Sequence, residues 1–161
     1  MRSPALLVVV LSAACNSAPP LQNTRPSPDA VAAAVLDALA RKDEAALEAL
    51  ALNDAEFRAH VWPELPASRP ERNLPYSYVW GDLHQKSRAG LSQTLARHGG
   101  VRYELRGVTF GGETKYPSYV VHRGATMRVR DASGAEQDIR VSGSMIEKDG
   151  AWKVFSYVVD D

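Results

Sequence analysis

The stretch VRYELRGVTFGGETKYPSYVVHRGATMRVRDASGAEQDIRVSGSMIEKDGAWKVFSYVVDD (residues 101–161) decides the fold. Its apolar residues recur with a period near two, the spacing of a pleated strand and not of a helix. Four long strands are expected, at about 101–111, 116–130, 136–147 and 151–159. Asp131–Gly134 and Glu147–Gly150 separate the last three and read as hairpin turns. Gly107 and Gly143 fall inside strand patterns, where a glycine marks a bulge or a bend. In the last strand Trp152, Val154 and Val158 are expected on one face, and Phe155, Tyr157 and Val159 on the other. A strand apolar on both faces must be covered on both. Either the proline-rich stretch 62–75 folds over the second face, or another copy of the chain does.

Upstream of residue 101 the period is helical. Ser27-Pro28-Asp29 supplies a cap oxygen, a proline at the first helical position and an acid for the positive end. Val31, Val35, Ala38 and Leu39 follow at helical spacing. Asp43 caps a second, short helix with Leu47 and Leu50 inward, and Asn53-x-x-Glu56 is a capping box for a third. Pro63, Pro66, Pro70 and Pro75 make 62–75 a structured loop. Tyr76–Trp80 reads as a short strand broken by Gly81, and Asp82-x-x-Gln85 as the start of another helix. That helix carries the stripe Leu83, Ser87, Leu91 and Leu95 and ends at Gly99-Gly100. Helices first and antiparallel strands after predict an α+β domain, with helices packed on one face of a curved, cone-shaped sheet.

The N-terminus reads as an address. Met1-Arg2 is followed by the apolar run Ala5–Leu11, too short for a membrane span of about 18–20 residues. Leu11-Ser12-Ala13-Ala14-Cys15 places the only cysteine directly behind the run and resembles a bacterial lipobox. That resemblance implies cleavage after Ala14, acylation of Cys15 and anchoring in a lipid bilayer. With Asn16 next, it also implies the outer membrane, facing the periplasm. Ordinary signal cleavage, giving a secreted domain, is the alternative. Residues 16–27, with Pro19, Pro20 and Pro26, read as an extended tether at about 3 Å per residue. The expected organisation is a signal peptide over 1–14, the lipidated Cys15 with its tether over 15–27, and one domain over 28–161.

Composition narrows the function. The 161 residues carry 19 Lys+Arg against 19 Asp+Glu, a net charge of zero that argues against a nucleic-acid partner. A single cysteine and four scattered histidines without H-x-x-x-H spacing predict no metal site. There is no G-x-S-x-G, phosphate loop or G-x-G-x-x-G, so no cofactor is expected.

The element order, the glycine-then-helix segment GDLHQKSRAGLSQTLARHGG and the closing hairpin EKDGAWKVFSYVVDD resemble the nuclear transport factor 2-like superfamily, in its SnoaL-like or ketosteroid-isomerase-like branch. The likeness covers about residues 28–161 and rests on core and turn patterns. Enzymes of that superfamily hold an Asp or His base and a Tyr or Asp donor inside the cone, and homodimers through the sheet are common. By resemblance the catalytic candidates here are Asp82, His84, His122 and Tyr103, with Tyr78, Trp80, Tyr103, Tyr119 and Trp152 as ligand-pocket residues.

Each candidate has a simpler reading. Asp82 caps its helix, and His84 sits in a first turn whose dipole opposes protonation. The face taken by His122 depends on strand register. His60 is a partly buried neighbour of Phe57, and His98 is a favoured cation at a helix C-terminus. Arg102, Arg106, Arg123, Arg128, Arg130 and Arg140 form either a solvated sheet face paired with Glu104, Glu136 and Asp138, or an anion-binding surface. The balance favours an envelope domain that binds a small apolar ligand or a protein partner without catalysis. An isomerase or dehydratase with a His or Asp base and a Tyr donor is the alternative.

Overall fold

A computed structural model describes residues 18–159; Cys15 and the signal-peptide region lie outside them. The fold is α+β, with helices followed by antiparallel strands. The seven strands are β1 (Glu104–Thr109), β2 (Gly112–Lys115), β3 (Val120–Arg123), β4 (Thr126–Arg130), β5 (Glu136–Ile139), β6 (Ser144–Lys148) and β7 (Ala151–Ser156). They form two sheets, ordered β1-β4-β5 and β2-β3-β6-β7.

The expected strands are present, but the second and third are interrupted, and β2 lies in the gap expected between the first two. β1 and β2 run on as one bent strand against β4 and β3, while β5 and β6 run back along the other side. The breaks fall at matching places. The Gly111 N–H donates to Arg123 O at 2.9 Å, and Ala125 N–H to Gly143 O at 3.2 Å. Glycines at 111, 124 and 143 mark this line; the breaks at 124 and 143 divide the second and third expected strands, and the one at 111 falls where the first was expected to end. The register also slips between Leu105 and Gly107, the bulge expected at Gly107. Asp149 and Gly150 both take positive φ (51° and 76°) in the β6–β7 hairpin, as a tight Asp-Gly turn requires.

The first three helices start where their caps place them. Helix α1 (Pro28–Arg41) is capped by the Ser27 hydroxyl, which accepts from Ala30 N–H at 3.1 Å. Helix α2 (Glu44–Leu50) is capped by Asp43, and α3 (Asp54–Glu56) by a complete Asn53/Glu56 capping box. Helix α3 widens into a π-helical turn over Phe57–Val61, and the prolines after it organise three short 3₁₀ turns.

The expected strand at 76–80 is absent. Helix α4 starts at Tyr76 and runs unbroken to His98. Aromatic and β-branched propensity favoured a strand there, but Tyr76, Val79, Trp80 and Leu83 extend the stripe of Ser87, Leu91 and Leu95 backwards at helical spacing. Their burial against the second core overrides local preference. Gly99-Gly100 ends the helix as expected, with Gly100 at φ 82°.

Two apolar cores flank the four-stranded sheet. The larger joins Val31, Val35 and Leu39 of α1 and Leu47 of α2 to Met127, Met145 and Val154. The smaller holds Phe57, Val61, Tyr119, Val121 and Ile146, with Trp62, Leu65 and the start of α4 packed onto it. Residues of the chain itself pack on both faces of β7, including Trp62 and Leu65 of the proline-rich stretch, the first of the two expected covers. The face assignment of the last residues also changes. β7 ends at Ser156, so strict alternation stops, and Tyr157 joins Val154 in the first core.

The second face of β7 carries a charge that periodicity does not reveal. Lys153 is 1% exposed and its Nζ lies 2.8 Å from Glu56 Oε2, 3.0 Å from Oε1 and 2.8 Å from Gln22 O. Glu56, 6% exposed, also accepts from Gln22 N–H (2.7 Å) and Asn53 N–H (3.1 Å). Every ammonium proton has an acceptor, which is the condition for burying such a pair.

The same network corrects the expected tether. Residues 19–25 are not free but docked along the domain. His60 Nε2 donates to Pro19 O at 2.6 Å, Leu21 packs on the second core, and Arg25 exchanges two backbone hydrogen bonds with Trp152 at 2.8 Å each. The folded part thus begins ahead of Ser27.

Candidate functional site: a cleft under helix α4

The expected site residues are spread over the molecule. Asp82 is not a helix cap, because α4 starts six residues earlier behind Pro75. It sits in mid-helix with its carboxylate 2.8 Å from Lys86 Nζ, one turn on. His84 is exposed and stacks on Trp80, ring centroids 5.2 Å apart. It lines a shallow cavity of about 300 Å³ with Trp80, Glu48, Arg88 and Tyr157. Neither Asp82 nor His84 has a buried tyrosine hydroxyl as a hydrogen-bond partner. The buried hydroxyls are already used, Tyr157 donating to Leu47 O at 2.7 Å and Tyr119 to Val61 O at 3.2 Å. Burial pushes both phenols well above the usual tyrosine range.

His122 lies on the first-core face of β3, opposite Met145. Its ring stacks on Trp152 at 4.5 Å, and its Nε2 lies 3.0 Å from Glu147 Oε2. Tyr103 Oη lies 3.0 Å from His98 Nδ1. Burial, then the neighbouring Arg97, hold the His98 pKa below the usual histidine range, opposing the cationic form expected at a helix end. Tyr78 is 66% exposed. The five expected pocket residues, Tyr78, Trp80, Tyr103, Tyr119 and Trp152, therefore share no single cavity.

The sheet arginines divide. Arg128 pairs with Asp138 at 2.7 Å, Arg130 with Glu136 at 3.0 Å, and Arg106 with Glu104 at 2.8 Å, the cross-strand and neighbouring acids expected for a solvated face. All are exposed pairs of small energetic weight. Arg123 belongs elsewhere. It follows Val121 by two residues on β3, so the pleat places it on the second-core face.

That face forms the floor of a cleft of about 560 Å³. Val121, Thr114, Phe155 and Ser156 lie along the floor, and Phe57, Leu65, Val79 and Leu83 form the walls. The Asp82–Lys86 pair and Arg123 stand at its polar margin. Apolar walls with a few convergent polar groups suit a small ligand. Asp82 reaches the cleft already paired with Lys86, and the Thr114, Ser144 and Ser156 hydroxyls line it, so the arrangement can bind and orient a small ligand. Among the described residues, no group of three His, Cys, Asp or Glu could hold a metal ion.

The sequence reading missed this cleft because it assigned 76–80 to a strand. The α4 wall residues Val79, Asp82 and Leu83 were then divided between two elements. The signal was present in the unbroken helical spacing from Tyr76 to Leu95. No protein-family model, curated protein or solved structure matches the chain.

Proposed function

We propose that this chain is a lipid-anchored cell-envelope module, of nuclear transport factor 2-like type, that holds a small apolar ligand in the α4 cleft without catalysis. The apolar-walled cleft of about 560 Å³ carries this reading. The order of helices before a strand meander supports the superfamily assignment, and the lipobox-like Leu11–Cys15 supports the anchor. The docked strap changes what the anchor would do. Cys15 and Pro19 are four residues apart, a reach of at most about 14 Å. An acylated chain would hold the domain close to the outer-membrane surface, on the periplasmic side, instead of at the end of a long leash. An isomerase or dehydratase would need a base aimed at a free donor, and no observation favours that arrangement.

Two measurements test the proposal. A neutral hydrophobic dye such as N-phenyl-1-naphthylamine is expected to bind saturably with one-to-one stoichiometry. Leu83→Arg, placing a charge on the cleft wall, is expected to weaken it at least about tenfold, measured at a temperature where the variant is folded. Non-saturable binding, or equal binding by the variant, would remove the cleft as the site. For the anchor, Cys15→Ser is expected to abolish acyl mass and membrane fractionation in a bacterial host. Membrane association unchanged in that variant would remove the lipid reading.

A further inference from the structure

We propose that the ligand of the α4 cleft carries one carboxylate on an apolar chain, and that Arg123 binds that carboxylate. The inference rests on the cleft reading above and deepens it.

Arg123 stands where the apolar floor ends. It shares the cleft-facing side of β3 with Val121, and its strand neighbours are Gly112 on β2 and Ser144 on β6. Its guanidinium reaches over Gly112, where a methyl carbon would lie 3.2 Å from Nη2. A side chain at 112 would crowd the guanidinium in this position. No carboxylate of the described residues lies within 4.0 Å of it, whereas Arg106, Arg128 and Arg130 on the other sheet each hold one.

The charges at the margin set the ligand's charge. Lys86 and Asp82 neutralise each other at 2.8 Å, which leaves the single positive charge of Arg123. A monoanion balances it. A phosphate dianion would bring a second negative charge toward Asp82. A guanidinium fork matches the two oxygens of a carboxylate, and the Ser144 and Ser156 hydroxyls lining the same cleft add donors. The apolar walls then take the hydrocarbon, so head and chain are recognised by separate groups.

The test compares two probes of equal chain length, decanoate and decanol, each below its micellar or solubility limit, in displacing the neutral dye. In the parent protein decanoate is expected to displace the dye at a concentration at least about tenfold lower than decanol. In Arg123→Gln that preference is expected to disappear while decanol is unchanged. Equal displacement by the two probes in the parent, or a preference that survives in Arg123→Gln, would overturn the carboxylate assignment and leave the apolar cleft standing. Failure of the dye and both probes to bind would overturn the cleft reading itself. Lys86→Gln serves as the charge control: loss of the preference there, with Arg123→Gln retaining it, would move the anion site to the helix and overturn the assignment.

Discussion

Lys153→Met is expected to lower the unfolding free energy by about 3–5 kcal/mol, the range for breaking a buried ion pair from one side. The lost attraction is the smaller part of that effect. The variant strands the Glu56 carboxylate at 6% exposure, with only the Gln22 and Asn53 N–H groups to solvate it. It also frees Gln22 O, which now accepts from Lys153 Nζ at 2.8 Å. The strap over residues 19–25 should therefore loosen, and limited proteolysis should cut within it first. The double variant Lys153→Met, Glu56→Leu removes the stranded charge and is expected to recover part of the loss, since well-packed apolar replacements of buried pairs are often near neutral. Recovery should be incomplete because Glu56 also completes the capping box of α3. Urea unfolding of the parent, both single variants and the double variant measures the coupling. A single-variant cost below about 1 kcal/mol, the scale of an exposed pair, would show that water reaches the pair in solution.

Two glycines of one helix are expected to respond in opposite directions to alanine. Within a helix the exchange gains about 1 kcal/mol from backbone entropy and propensity. Gly81 has nothing within 4 Å of where a methyl carbon would stand, so Gly81→Ala should realise that gain. At Gly90 the methyl carbon would lie 2.1 Å from Tyr157 O, a backbone atom that can move only if α4 or the C-terminal segment moves. The clash should exceed the propensity gain and leave Gly90→Ala destabilised by about 1–3 kcal/mol, the ordinary range for overpacking. The other side of the same segment is equally close. A methyl carbon at Gly143 would lie 1.5 Å from Val158 O. The backbone of Tyr157–Val158 thus passes between α4 and the β5–β6 connection with room for hydrogen alone on both sides. Thermal melts of the two alanine variants decide the point, and equal Tm values would mean that this closeness does not persist in solution.

The two sets of expected effects show which parts of this molecule can be read locally. The caps of α1, α2 and α3 were legible because the cap residue and its N–H partner are only three positions apart. The Asp149-Gly150 turn and the Gly107 bulge were legible for the same reason. Each depends on residues that the chain itself holds side by side. The segment 76–80 was misread because its two descriptions, strand by propensity and helix by spacing, differ by less than the burial that Phe57 and the second core supply. The candidate site moved with it, since Asp82 lost its expected cap role and joined the margin of a cleft. The metal, cofactor and nucleic-acid expectations drew on motif spacing and net charge, and the Cys15 anchor on residues ahead of the described domain.

Amphipathic period, turn chemistry and capping were written along the chain, and they were enough for the α+β class and the hairpins. Pairings between distant positions came only from the three-dimensional arrangement. These are Lys153 with Glu56 across 97 positions, Gln22 with Glu56 across 34, and α4 against β3 and β7 around Arg123. A hydrophobic period states that a face is buried, and an isolated charge states only that it needs a partner. Which partner it meets depends on how far the strands bend and where the helices land, and those are properties of the packed whole.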